Sequence, residues 1–205
     1  MIESRSNRMR VASVLLAVLL CSGVVFATEA QTESIPWEQA SPISWSLFQG
    51  PPPSDAVHRT EAAAIHMTLR WRVSYAISSS GGNWSGRVNE VTVTNTMEPD
   101  QSWVLSSKAD AYILAHEQTH FDLNEVYRRK IECVLQAITC SGSSQQGVLD
   151  SLNAQIRDQA GALLTKVSEM QALYDSETSH SKNQAMQAHW DHQVQLWLEN
   201  PTAAP

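Results

Sequence analysis

The sequence predicts an α+β fold, with an N-terminal antiparallel sheet packed against a histidine-bearing helix and a long partner helix. Three observations carry that expectation. Ala63, Ile65, Met67, Leu69, Trp71, Val73, Tyr75 and Ile77 alternate with mostly polar residues, the period of a long strand with one buried face. Ala111–Asp122 reads A-Y-I-L-A-H-E-Q-T-H-F-D, and Tyr112, Ile113, Leu123 and Tyr127 fall at helical spacing with its two histidines, so that face of the helix packs inward. Leu149, Leu152, Ile156, Leu163, Val167, Met170 and Leu173 recur at intervals of three, four or seven, which marks the packing stripe of a second helix.

The chain opens on what reads as a targeting segment. Arg5, Arg8 and Arg10 precede an apolar run from Val11 to Phe26, which ends in the small-residue pattern Val25-Phe26-Ala27. This is the layout of a cleaved secretory signal over residues 1–27. The run is short for a membrane span, so no stable membrane insertion is expected after cleavage, and the protein is expected to be exported, periplasmic or secreted. Residues 1–27 carry one Glu and three Arg, so removing that net +2 takes the chain from −7 to −9. An acidic chain is a poor partner for nucleic acid or an anionic membrane surface. The remaining roughly 178 residues suit one domain with a sizeable core.

Residues 28–42 form a polar, proline-containing extended lead-in, and the domain proper spans 43–198. Ile43 to Gln49 reads as a short aromatic strand, stopped by Gly50-Pro51-Pro52-Pro53. The period-two segment from Ala63 turns at Ser79-Ser80-Gly81-Gly82-Asn83 and returns through a β-rich Arg87–Thr96, which makes a hairpin over 63–96. Ser107 is the expected N-cap of the motif helix, which should run to about Ala137. The second helix is expected over 146–174 and a third over 182–198, before a flexible tail at 199–205. Cys133 and Cys140 are the two cysteines left after cleavage, an even number in an export compartment, and one disulfide is expected between them. Seven residues of unbroken helix would span about 10.5 Å, against the limit of about 7 Å between bridged Cα atoms. The bridge therefore requires a turn before Cys140, which Ser141-Gly142-Ser143-Ser144 would permit.

The H-E-x-x-H pattern is the most informative feature of the chain. His116 and His120, four apart on a helix, bring their side chains to one face with Cβ atoms roughly 6 Å apart and can offer two nitrogens to one tetrahedral metal, usually zinc. Glu117 lies about 100° round the helix, beside the open coordination position, where it can act as general base toward a water. On a solvated surface helix the same three residues would mean nothing; here they sit on a packed face, where polar groups need partners. A third ligand should come from Tyr174-Asp175-Ser176-Glu177-Thr178-Ser179-His180, with His180 the first choice and Glu177 the next. Asp175 or Glu177 can accept the spare N–H of a ligating histidine, and Tyr174 can donate to a developing oxyanion. His58, His66, His189 and His192 read as solvent-exposed side chains.

Trp45-Ser46-Leu47-Phe48-Gln49-Gly50, Ser102-Trp103-Val104, the H-E-Q-T-H-F-D run at 116–122 and the Y-D-S-E-T-S-H run at 174–180 together resemble a secreted bacterial family known as domain of unknown function 922, described as predicted zinc-dependent proteases. The resemblance implies a metallopeptidase-like site of His116, Glu117, His120 and His180 with one zinc per chain, on a zincin-like HExxH helix followed by a long C-terminal helical hairpin. One departure stands out: the family usually has glycine after the last histidine, where this chain has Ser181. Glycine there would serve a backbone with φ > 0. The expected activity is hydrolysis of a peptide or protein substrate. A zinc amidase acting on cell-wall peptides and a non-catalytic exported metal-binding or scaffold protein are the alternatives, and the presence of Glu117 favours an enzyme.

Overall fold

A computed structural model describes residues 33–205. The leader expected at 1–27 lies outside the described residues; among those described, no helix is long and apolar enough to cross a membrane. Among the described residues the architecture is α+β, with antiparallel sheets and three α-helices.

The principal sheet is built on the hairpin of β3 (Met67–Ser80) and β4 (Asn83–Met97). Gly81 and Gly82 both have positive φ, at 58° and 82°, and Ser80 pairs with Asn83. A two-residue loop with both φ values positive matches the right-handed twist of the strands it joins. β1 (Ile35–Pro36) and β6 (Thr139–Gly142) pair antiparallel with β4 at its two ends, so β3 is the outer strand. This position explains why the apolar face of β3 is only partly covered and why Trp71 stays 37% exposed.

The long strand expected from Ala63 is broken. β2 (Ala63–Ala64) leaves for a second small sheet with β5 (Trp103–Val104). At the break, Ile65 N–H donates to the Glu117 side chain at 2.9 Å and His66 N–H to Ser102 Oγ at 2.9 Å. These two side-chain acceptors take the place of ladder partners. Ile43–Gln49 is not a strand either: Trp45–Leu47 form a 3₁₀ turn, and the Trp45 ring packs edge-on against that of Phe48. Ser141 and Gly142, read as the start of a turn, instead end strand β6 (Thr139–Gly142).

α1 (Ala111–Gln136) is the central element. Asp110, not Ser107, caps it, accepting from Ile113 N–H at 2.7 Å; Ser107 lies in a preceding 3₁₀ turn. Leu123, Val126 and Tyr127 of α1 pack with Val167, Met170 and Tyr174 of α2 (Gln145–Thr178) and Trp190, Val194 and Trp197 of α3 (Gln184–Glu199). On the sheet side, Ile131 and Leu135 meet Val88, Val91 and Val93 of β4, and Val148 and Leu152 of α2. Each such buried aliphatic side chain contributes about 1.5–3 kcal/mol. α2 approaches β4 closely enough that a Cβ on Gly86 would stand 2.6 Å from Val148 Cγ1, so only glycine fits there. The C-terminal residues are not a free tail: Ala204 is buried, and Tyr127 Oη and Lys130 Nζ donate to the Pro205 carbonyl.

The expected disulfide does not form. Cys133 is exposed on α1, and Cys140 is half-buried with its thiol donating to the Val148 carbonyl at 3.4 Å. The chain does turn after Gln136, but pairing of β6 with β4 carries Cys140 toward α2 rather than back to Cys133. Alkylation without reductant should therefore label both Cys133 and Cys140, Cys133 the faster. A bridged pair in the mass spectrum would contradict this arrangement.

Candidate metal centre

Four elements converge on a cleft of about 240 Å³. α1 supplies His116, Glu117 and His120, α2 supplies Gln171 and Asp175, the turn after α2 supplies His180, and the segment around β2 supplies the facing wall, Glu61 to Ile65. At the bottom, His116 Nε2 and His120 Nε2 are 3.2 Å apart, and Asp175 Oδ1 lies 3.2 Å from the first and 3.1 Å from the second. Ligands bound at about 2.0–2.1 Å to a tetrahedral ion stand about 3.3 Å from one another, so this near-equilateral triangle already has the size of a coordination face. His116, His120 and Asp175 form a group able to hold a metal ion. The donor set of two imidazoles and one carboxylate suits a divalent transition metal.

His120 is oriented from behind. Its Nδ1 lies 2.6 Å from Gln171 Oε1, while Gln171 Nε2 donates to the His120 carbonyl at 3.0 Å. Held this way, Nδ1 keeps a proton, so when Nε2 gives up its own, as metal binding requires, its lone pair is turned to the centre, the usual arrangement for a ligating histidine. His116 lacks such a partner: its Nδ1 is buried and unpaired among the described residues. Its ring is instead fixed by stacking on Tyr174, with centroids 4.6 Å apart.

Charge follows burial and proximity. Asp175 loses solvent to burial, yet hydrogen bonds from His116 and His120 outweigh that and hold its carboxyl well below the usual range. Burial pushes His120 down, but Asp175 and Glu117 together lift it above its ordinary 6.5. Glu117 is only 4% exposed, and desolvation raises its pKa against the opposing pull of both histidines and the Ile65 N–H.

These directions set a pH dependence. A histidine with a raised folded pKa contributes stability that is fully present below its unfolded value and lost as pH rises through the folded one. The metal-free protein should therefore lose stability as pH climbs from about 6.5 through the raised value of His120. Metal needs the neutral imidazole, so the gain in Tm on adding zinc should grow over the same window. Melting curves with and without zinc at pH 6 and pH 8 check this, and an equal gain at both pH values would contradict it.

The sequence-derived site residues divide. His116, Glu117 and His120 come together as expected, but Asp175, assigned an outer role, occupies the third corner. His180, the first choice for that corner, sits at the mouth: its Nδ1 is 3.4 Å from Asp175 Oδ1 and its Nε2 3.9 Å from Glu61 Oε1. Glu177, the next choice and a proposed outer partner, is turned away and accepts from Trp190 Nε1 at 2.7 Å. Two residues on from Asp175 it lies about 200° round α2. Tyr174, proposed as an oxyanion donor, is fully buried with its hydroxyl directed at the His116 carbonyl, 3.4 Å away; its position is that of a packing residue. The exposed expectation for His58, His66, His189 and His192 agrees with their surroundings.

Gln171 escaped the sequence reading. Its signal is present, since Gln171 and Asp175 are four apart on α2, but ending that helix at residue 174 hides the shared face. Within the motif itself, Gln118 and Asp122 anchor the N-terminal arm: Gln118 Oε1 accepts from Ile43 N–H at 2.8 Å, and Asp122 Oδ1 accepts from Trp37 Nε1 at 2.7 Å. The turn after α2 is strained, with Ser179, His180 and Ser181 at φ of 50°, 49° and 67°. Such residues cost about 1–2 kcal/mol each when not glycine, so Ser181 takes up the left-handed backbone without the side-chain-free residue suited to it.

Neither curated proteins nor solved structures yield a match to this chain. The model of a family described as a bacterial protein of unknown function (DUF922) matches residues 46–181, more than half the chain. The matched span runs from the 3₁₀ turn beside Phe48, across both sheets, α1 and α2, to the strained turn at Ser181, and so contains His116, Glu117, His120, Gln171, Asp175 and His180. On that match the chain belongs to the DUF922 family.

Proposed function

We propose that the protein is an exported, metal-dependent hydrolase, a metallopeptidase that cleaves peptide bonds, with zinc as the ion suited to His116, His120 and Asp175. The observation that carries this reading is the coordination-sized triangle of His116 Nε2, His120 Nε2 and Asp175 Oδ1 with the Glu117 carboxylate beside it in one cleft. A zinc ion held there would polarise a substrate carbonyl and acidify a water. Glu117 takes the proton from the attacking water and passes it to the departing amine. Two features of the chain suit Glu117 to this proton transfer. Burial makes its carboxylate more basic, and the Ile65 N–H fixes its position while leaving one oxygen free. Gln171 keeps His120 in the tautomer that leaves Nε2 available. The leader-like residues 1–27 support action outside the cytoplasm, and the acidic balance of the chain supports a peptide over a nucleic-acid partner.

The test is incubation of the zinc-loaded protein with a peptide library, with and without chelator. Chelator-sensitive cleavage restored by zinc is the expected result. A fully metal-loaded protein that cleaves no member of the library would overturn the peptidase reading.

A further inference from the structure

We propose that Glu61 forms a cation subsite at the mouth of the cleft, selecting peptides with an amine or guanidinium close to the reacting bond. The inference rests on the hydrolase reading above and extends it to a substrate class. The titratable side chains lining the cleft are Glu61, His116, Glu117, His120, Asp175 and His180; no lysine or arginine is among them. Asp175 faces both motif histidines and Glu117 accepts from Ile65 N–H, and their two charges would balance a divalent ion. Glu61 is left over. The ionisable nitrogen nearest to it is His180 Nε2 at 3.9 Å, beyond hydrogen-bond length, and among the described residues no lysine or arginine nitrogen comes within 4.0 Å of it. Some carboxylates elsewhere have a guanidinium partner: Asp55 meets Arg59, Glu98 meets Arg70, and Glu125 meets Arg128 and Arg129.

The Glu61 side chain is 40% exposed, so it keeps its hydration at the cleft mouth and can exchange part of it for a cation on the substrate. Next to Glu61 the lining is apolar, Ala62 to Ile65 on its own segment and Ile113 on α1, while the other two carboxylates of the cleft, Glu117 and Asp175, are engaged by Ile65 N–H and the motif histidines. The acidic balance of the whole chain acts in the same direction on approach. The shared chemistry is a positive nitrogen, supplied either by a lysine or arginine side chain or by a free amino terminus.

The experiment uses four peptides with one common cleavable core: acetylated and neutral, acetylated with a lysine beside the core, acetylated with a glutamate there, and neutral with a free amino terminus. Binding is measured on the zinc-loaded protein carrying Glu117→Gln, alone and combined with Glu61→Gln or Glu61→Lys. Cleavage is measured with Glu117 intact on the same Glu61 series. A cationic peptide should bind about fivefold better than the neutral one, the scale of a partly exposed ion pair, with the effect in KM rather than kcat. Relative to the neutral peptide on the same variant, Glu61→Gln should erase the preference and Glu61→Lys should reverse it toward the glutamate peptide. Whether the lysine or the free-amine peptide shows the preference identifies the source of the charge. Cleavage without charge preference, or a preference that survives Glu61→Gln, overturns the subsite and leaves the hydrolase reading standing. Glu61-dependent binding without any cleavage does the reverse, and absence of both overturns both.

Discussion

Glu117→Gln is expected to lower turnover of a cleaved peptide at least about a hundredfold, the usual scale for removing a general base, while zinc content stays at the wild-type level. The carboxamide matches the carboxylate in size, and its oxygen can still accept from Ile65 N–H, which the wild-type side chain does at 2.9 Å. Only the capacity to take a proton is lost. Loss of fold does not offer an alternative cause. Burial raises the pKa of Glu117, so its charge works against the folded state once pH exceeds the ordinary carboxylate value. The neutral variant should therefore melt at or above the wild-type temperature at pH 7. Turnover, zinc content and Tm measured on one preparation decide the matter, and wild-type turnover in the variant would remove Glu117 from the chemistry.

Asp175→Ala is expected to weaken zinc binding by at least about a hundredfold, beyond the range typical of an outer partner, whereas His180→Ala should change it by less than about tenfold. Asp175 Oδ1 is within 3.2 Å of both motif imidazoles, whereas of the three corners His180 approaches Asp175 alone, at 3.4 Å. The same substitution should lower the stability of the metal-free protein at neutral pH. An acid whose folded pKa is depressed contributes stability that is present above the ordinary carboxylate value and lost as pH falls through the folded one, and Asp175 is such an acid. Zinc titrations of both variants, followed by melts of the stripped proteins, check the ranking. A larger loss of affinity in His180→Ala than in Asp175→Ala would make His180 the ligand and Asp175 its support.

The parts of the fold that could be read from the chain are those fixed by short-range periodicity. The alternation from Met67 to Ile77, the i, i+4 histidines and the apolar stripe of α2 each carry their own signature, and each element stands where that signature indicates. What escaped was set by distant partners. Ile65 and His66 leave the ladder because Glu117 and Ser102 accept their N–H groups, from residues 52 and 36 positions away. Thr139–Gly142 is a strand because β4 presents a free edge to it, not because T-C-S-G favours extension. The third corner was missed for a local reason: polar Asp175, Ser176 and Glu177 resemble the start of a loop. The helix continues to Thr178, beneath the left-handed Ser179, and that extra turn places Asp175 inward and Glu177 outward.

The central claim, that His116, His120 and Asp175 form a metal centre, is tested most directly by counting metal. Protein stripped with chelator and titrated with zinc should bind one ion per chain at the centre, and the His116→Ala, His120→Ala double variant should bind none with comparable affinity. Full stoichiometric binding in the double variant, at wild-type affinity, would contradict the account.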